Sequence, residues 1–101
     1  MNDWFVIVEE TSGTGEGRQW RVTSVSPAGE SEEQAQEIAL RTAHEYQPEH
    51  PWSPRRRQIL RTAVPGSFVI AVEGRTATFY FRVSTAQQIY DGPDTGQTVT
   101  R

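Results

Sequence analysis

Two histidines, thirteen carboxylates, ten arginines and no cysteine make up the reactive inventory of this 101-residue chain. Without cysteine there is neither a thiolate nucleophile nor a thiolate metal site. His44 and His50 lie near Glu45 and Glu49, but the spacing is not H-E-x-x-H, and Pro48 breaks any helix between the two rings. No metal or other cofactor is expected. No G-x-S-x-G elbow occurs, and neither histidine is placed by sequence beside a Ser–Asp pair, so the chain points away from nucleophilic catalysis. Gly13-Thr14-Gly15-Glu16-Gly17-Arg18 has the glycine content of a phosphate cradle. A cradle needs a helix N-terminus behind it, whereas this loop joins two strand-like runs, and a Walker loop needs a lysine. It reads as a hairpin connection.

What remains is arginine set beside aromatic and aliphatic side chains. Ala77, Phe79, Phe81 and Val83 alternate with Thr78, Tyr80 and Arg82, and Phe68, Ile70 and Val72 alternate with Val69 and Ala71. Upstream, Leu60, Thr62 and Val64 alternate with Arg57, Ile59 and Arg61. Period-two alternation marks strands with two distinct faces. Giving the Phe68, Phe79 and Leu60 sets to the core leaves an outer face of Arg57, Ile59, Arg61, Val69, Ala71, Tyr80 and Arg82. That face is too apolar for a wetted surface, which implies a covering.

The expected partner is another protein or a second copy of the chain, meeting this face or an open strand edge in a non-catalytic interaction or regulatory module. Single-stranded nucleic acid is the alternative, since arginines beside an exposed aromatic combine phosphate contact with base stacking. Against it stand the net charge of −3 and the absence of an RRM signature in Gly74 to Val83. A small-molecule or enzyme pocket between helix and sheet edge near Trp52 is the third reading. A secondary contact surface is formed by Leu40 among Glu33, Glu37 and His44, which fall together on one helix face.

These groups need elements to carry them. Trp4 to Val8 is an apolar, β-branched run that reads as a central strand, and Gln19 to Val25 alternates as a half-exposed one. Ser31 with Gln34 three residues on is a capping-box pattern, with Glu32 and Glu33 in the first turn where the helix dipole favours acids. The helix runs to about Gln47, ahead of Pro48, and its apolar stripe is Ala35, Ile38, Ala39, Thr42 and Tyr46. Leu40 falls roughly opposite the centre of that stripe. Pro48, Pro51 and Pro54 recur every third residue, predicting an extended connector, with Trp52 folded back over the core. Pro51-Trp52-Ser53-Pro54-Arg55-Arg56 also matches the P-x-x-P-x-R pattern that SH3 grooves read, although a stiff connector explains it without a partner.

Gln58 to Val64 is the next strand. Val64-Pro65-Gly66-Ser67 then suits a type II turn, with Pro fixing φ and Gly accepting a positive one. Gly74-Arg75 marks a second tight turn. Ser84 to Gln87 fits a capping box opening a short helix over 85–91, and continuation of the strand through Ile89 and Tyr90 fits as well. Residues 94–101 read as a polar tail after one α+β domain at 1–93.

The order β-β-α-β-β-β predicts an α+β fold, two layers deep, with one helix on a mainly antiparallel sheet. β-Grasp folds share that order and pair their first and last strands in parallel. Apolar residues make up 35% of the chain and charged residues 23%, inside the globular range. Residues 1–54 carry ten acids against three arginines, and residues 55–101 carry three acids against seven arginines. All the basic residues are arginine, consistent with codon usage in a high-GC bacterial genome. No run is long and apolar enough to span a bilayer, so no membrane partner and a cytoplasmic location are expected.

Overall fold

The structure, a computed structural model, describes residues 3–12, 19–49 and 53–94. Five strands and one helix follow the predicted order: β1 (Trp4–Ser12), β2 (Gln19–Pro27), α1 (Glu32–Glu45), β3 (Arg56–Arg61), β4 (Phe68–Glu73) and β5 (Thr78–Gln87). They form one sheet in the order β2-β1-β5-β4-β3, with every neighbouring pair antiparallel. The fold is α+β, with α1 on one face of the sheet. β1 and β5 run antiparallel, so the parallel closure of a β-grasp is not adopted.

The local signals act as their chemistry dictates. Ser31 Oγ accepts from the Gln34 backbone N–H at 3.1 Å, satisfying an orphan donor of the first turn. The Gln34 amide oxygen accepts from the Glu30 N–H rather than from Ser31, one residue further back than a standard capping box. Gly66 has φ +78° and the Ser67 N–H donates to the Val64 carbonyl at 3.1 Å, the bond of a tight turn. A Cβ at Gly66 would stand 2.6 Å from Thr85 Oγ1, so glycine is required by space as well as by torsion. β5 begins only at Thr78, because Gly74 and Ala77 close a four-residue turn through the Gly74 N–H and the Ala77 carbonyl. The strand then runs to Gln87, and no helix forms over 85–91.

The core lies between α1 and the inner face of the sheet. Val6 and Val8, Phe68, Ile70 and Val72, and Phe81 and Val83 are buried beneath Ala35, Ala39 and Ala43. The helix therefore contacts the sheet along an alanine ridge of i, i+4, i+8 spacing, which lets its axis approach closely. That ridge shifts the centre of the buried face to Ala39. Leu40 and Ile38 then flank it on either side, and both pack against the core. The expectation that Leu40 points away from the core is thus corrected: leaving out Ala43 moved the apparent stripe toward Ile38. The connector residues Pro51 and Trp52, the loop 13–18, His50 and the tail 95–101 lie outside the described residues.

Candidate interaction surface

The outer face of the sheet, away from α1, is built by the strand registers. Directly opposed residues in antiparallel strands share a face. One row crosses all five strands: Val22, Glu9, Arg82, Val69 and Leu60, each opposed to the next. On one side of it lie two further rows, Val25–Ile7–Ser84 and Pro27–Phe5–Ala86. On the other side Trp20 opposes Thr11, and Tyr80 opposes Ala71, which opposes Gln58. Trp20, Val22, Val25, Leu60 and Tyr80 are all exposed, at 38 to 57% of their full accessibility. α1 lies against the opposite face, over β5, β1 and β4.

Charge on the face is matched within the chain. Arg82 donates from Nε to Glu9 Oε1 at 2.8 Å and from its terminal nitrogen to Glu9 Oε2 at 3.1 Å, a two-pronged pair joining β1 to β5. That hydrogen bonding holds the Arg82 guanidinium even more firmly protonated than usual. The same guanidinium lies 4.3 Å from the centre of the Trp20 ring, so it is clamped between a carboxylate and an aromatic face. At the far end of the face Arg56 and Glu73 approach to 3.7 Å across β3 and β4. A depression of about 150 Å³ beside Tyr80 is lined by Arg56, Gln58, Ala71, Glu73 and Thr78. It is smaller than small-molecule sites, which run to about 300 Å³ and above, and has room for a single side chain.

The structure divides the residues expected on this face. Val69, Ala71, Tyr80 and Arg82 are on it. Arg57, Ile59 and Arg61 are not: they oppose Val72, Ile70 and Phe68 and belong to the helix side, while Leu60 takes the outer position. A strand of period two inverts every side chain when its facing is read one residue out. Arg57 is part of the fold. It donates to the Ala43 carbonyl at 2.9 Å and the Tyr46 carbonyl at 2.7 Å, and its guanidinium sits 5.5 Å from the Phe81 ring centre. It thus caps the C-terminal end of α1, where the dipole favours a cation. Burial makes its proton less tightly held than that of a free arginine, without discharging it. Counting outward from the Pro65-Gly66 turn would have found this facing, since it sets Ile59 and Arg61 on the side of Phe68 and Ile70. Giving the alternating set of Leu60, Thr62 and Val64 to the core produced the opposite facing.

Missed altogether were Phe5, Ile7, Glu9, Trp20, Val22, Val25 and Pro27. They come from β1, read as a central strand with no face assigned to a partner, and from β2, whose alternation was legible but whose place in the sheet was not.

The helix-face set is also divided. Glu33, Glu37 and Leu40 line one wall of a groove of about 540 Å³, with Arg61 and Phe68 on its β3 side and Pro65 and Gly66 at its end. His44 is exposed and is not among its lining residues. Arg61 stands 5.9 Å over the Phe68 ring. The groove exists because α1 packs mainly over β5, β1 and β4 and is joined to β3 by Arg57 at its other, C-terminal end. Below the other end of the helix, the Tyr46 hydroxyl donates to Glu10 Oε2, and the second Glu10 oxygen accepts from the Glu49 N–H at 3.0 Å. Burial, followed by the bond to Glu10, raises the Tyr46 pKa above its usual 10.0.

Among the described residues no three His, Asp or Glu side chains gather as a metal site requires. No helix among them is long and apolar enough to cross a membrane. Compared with family models, curated proteins and solved structures, the chain finds no match in any of the three.

Proposed function

We propose that this domain is a non-catalytic protein-interaction module that works through the outer face of its sheet. The observation that carries the proposal is the uncovered row from Val22 to Leu60 with its apolar neighbours, in which the charges are already matched inside the chain. A sheet face meant for water carries polar residues at such positions. Matched ion pairs within an apolar surface can be covered by a partner without leaving a charge alone. A nucleic-acid partner is less well served, because phosphate recognition needs cations free to release counterions. Of the three arginines expected on the outer face, Arg57 is taken up by helix capping and Arg82 by Glu9. A bacterial cytoplasmic setting is part of the same proposal and rests on composition alone.

The test is a photo-crosslinking amino acid placed in turn at Val25, Leu60 and Arg41 in the cell of origin, with adducts identified by mass spectrometry. Val25 and Leu60 occupy the outer face, and Arg41 is exposed on the helix. Adducts from both sheet positions and not from Arg41 are expected. Equal adducts from all three, or none from Val25 and Leu60, would overturn the proposal.

A further inference from the structure

We infer that the occupant of the outer face is the same face of a second copy, giving a two-fold, sheet-on-sheet dimer. The inference rests on the reading of that face as a protein-binding surface and adds the identity of the partner.

Size is the first argument. Five strands spaced about 4.8 Å apart give a face about 24 Å wide, and six paired residues give about 20 Å of length. The projected area is therefore about 500 Å², and accessible area is larger because side chains stand off the sheet. A standard stable interface buries about 800 Å² per partner. One such face laid on another falls in that range, with side chains interleaving across the roughly 10 Å spacing of packed sheets.

Charge is the second argument. Among the described residues the face carries Glu9, Glu73, Arg56 and Arg82, two of each sign, and both acids are paired with arginines of the same chain. A partner chosen by charge complementarity needs unmatched groups to read, and among the described residues this face offers none. A copy of itself needs none: identical faces repel when they carry net charge and do not when each is neutral. The apolar content points the same way. Phe5, Ile7, Val22, Val25, Pro27, Val69 and Leu60 gain by leaving water whatever they meet, and an isologous contact buries each of them twice.

Rigidity is the third. The Glu9–Arg82 pair ties β1 to the central strand β5, and the Trp20 ring stacked on Arg82 extends the tie to β2. The centre of the face is held before any partner arrives, which lowers the entropic cost of association.

Sedimentation equilibrium on the full chain between 1 and 100 μM tests the inference. The wild-type chain is expected at twice its 11.4 kDa mass, with a dissociation constant of about 10 μM or lower. Val25→Glu and Leu60→Glu alter side chains that are 57% and 47% exposed, so each folds as judged by unchanged far-UV circular dichroism. Each is expected to weaken the dimer by at least about 100-fold, because the two-fold buries the new carboxylate twice and unpaired. Arg41→Glu on the helix leaves the dimer intact. A wild-type chain monomeric at 100 μM overturns the inference, and so does a dimer that survives both sheet substitutions. A monomer whose Val25 and Leu60 crosslinks land on a different protein removes the self-partner and leaves the protein-binding reading standing. A monomer with no such crosslinks removes both.

Discussion

Replacing Arg57 by methionine tests its role as an anchor of the C-terminal end of α1. Methionine keeps most of the aliphatic stem while deleting the guanidinium. The structure then loses hydrogen bonds of 2.9 and 2.7 Å to the Ala43 and Tyr46 carbonyls and a cation over the Phe81 ring at 5.5 Å. A hydrogen bond to a charged group contributes about 1.5–3 kcal/mol net when well buried. Arg57 is only half-buried, so water rehydrates part of what is lost and about 1 kcal/mol per bond is the reasonable figure. The cation over the ring adds about 0.5 kcal/mol, partly returned by the thioether. The sum is about 2 kcal/mol. For a domain of this size that lowers Tm by about 8–16 °C and the urea midpoint by about 1 M at unchanged slope.

Urea and thermal unfolding followed by circular dichroism read this directly. All variants are compared at one protein concentration, because self-association adds to apparent stability. Arg61→Met is the internal comparison. Its guanidinium approaches Phe68 at 5.9 Å from an exposed position, and its loss costs about 0.5 kcal/mol or less. If Arg57→Met is no more destabilising than Arg61→Met, Arg57 is not an anchor of α1 and the assignment of β3 to the helix side loses its energetic support.

Tyr46 makes stability fall at high pH. Its folded-state pKa is raised, so above about pH 10 the unfolded chain releases a proton that the folded chain keeps, and stability is lost as pH climbs through the folded value. Tyr46→Phe is expected to flatten that alkaline limb in unfolding measurements from pH 8 to 11, and an unaltered limb would count against the Tyr46–Glu10 bond. Gly66→Ala combines a left-handed φ of +78° with a Cβ 2.6 Å from Thr85 Oγ1. It is expected to cost about 2 kcal/mol or more by urea unfolding, and a loss under 0.5 kcal/mol would mean that the turn adjusts freely.

Local signals along the chain account for the elements and their order. The Ser31 cap, the Pro65-Gly66 turn and the period-two runs of β4 and β5 are local signals, and each needs only its near neighbours in the chain to act. They sufficed for an α+β fold with one helix on an antiparallel sheet, and for the outward facing of Val69, Ala71, Tyr80 and Arg82.

Tertiary structure alone decided which surface those residues belong to. β3 holds Ile59 and Leu60 side by side, so hydrophobicity supports either facing, and the pairing with β4 across the Pro65-Gly66 turn selects Ile59 for the core. The ridge of Ala35, Ala39 and Ala43 shows the same thing on the helix, where alanine contributes little to a hydropathy stripe and much to close packing. Arg82 meets Glu9 across 73 residues and Trp20 from a third strand, because β5 pairs with β1 through a connection that no short-range pattern encodes. The wide apolar face therefore exists only once the β1–β2 pair and the β3–β4–β5 meander lie edge to edge. Alternation marks each strand's two sides, but joining them into one surface needs long-range pairing, set by burying the inner sides together under α1.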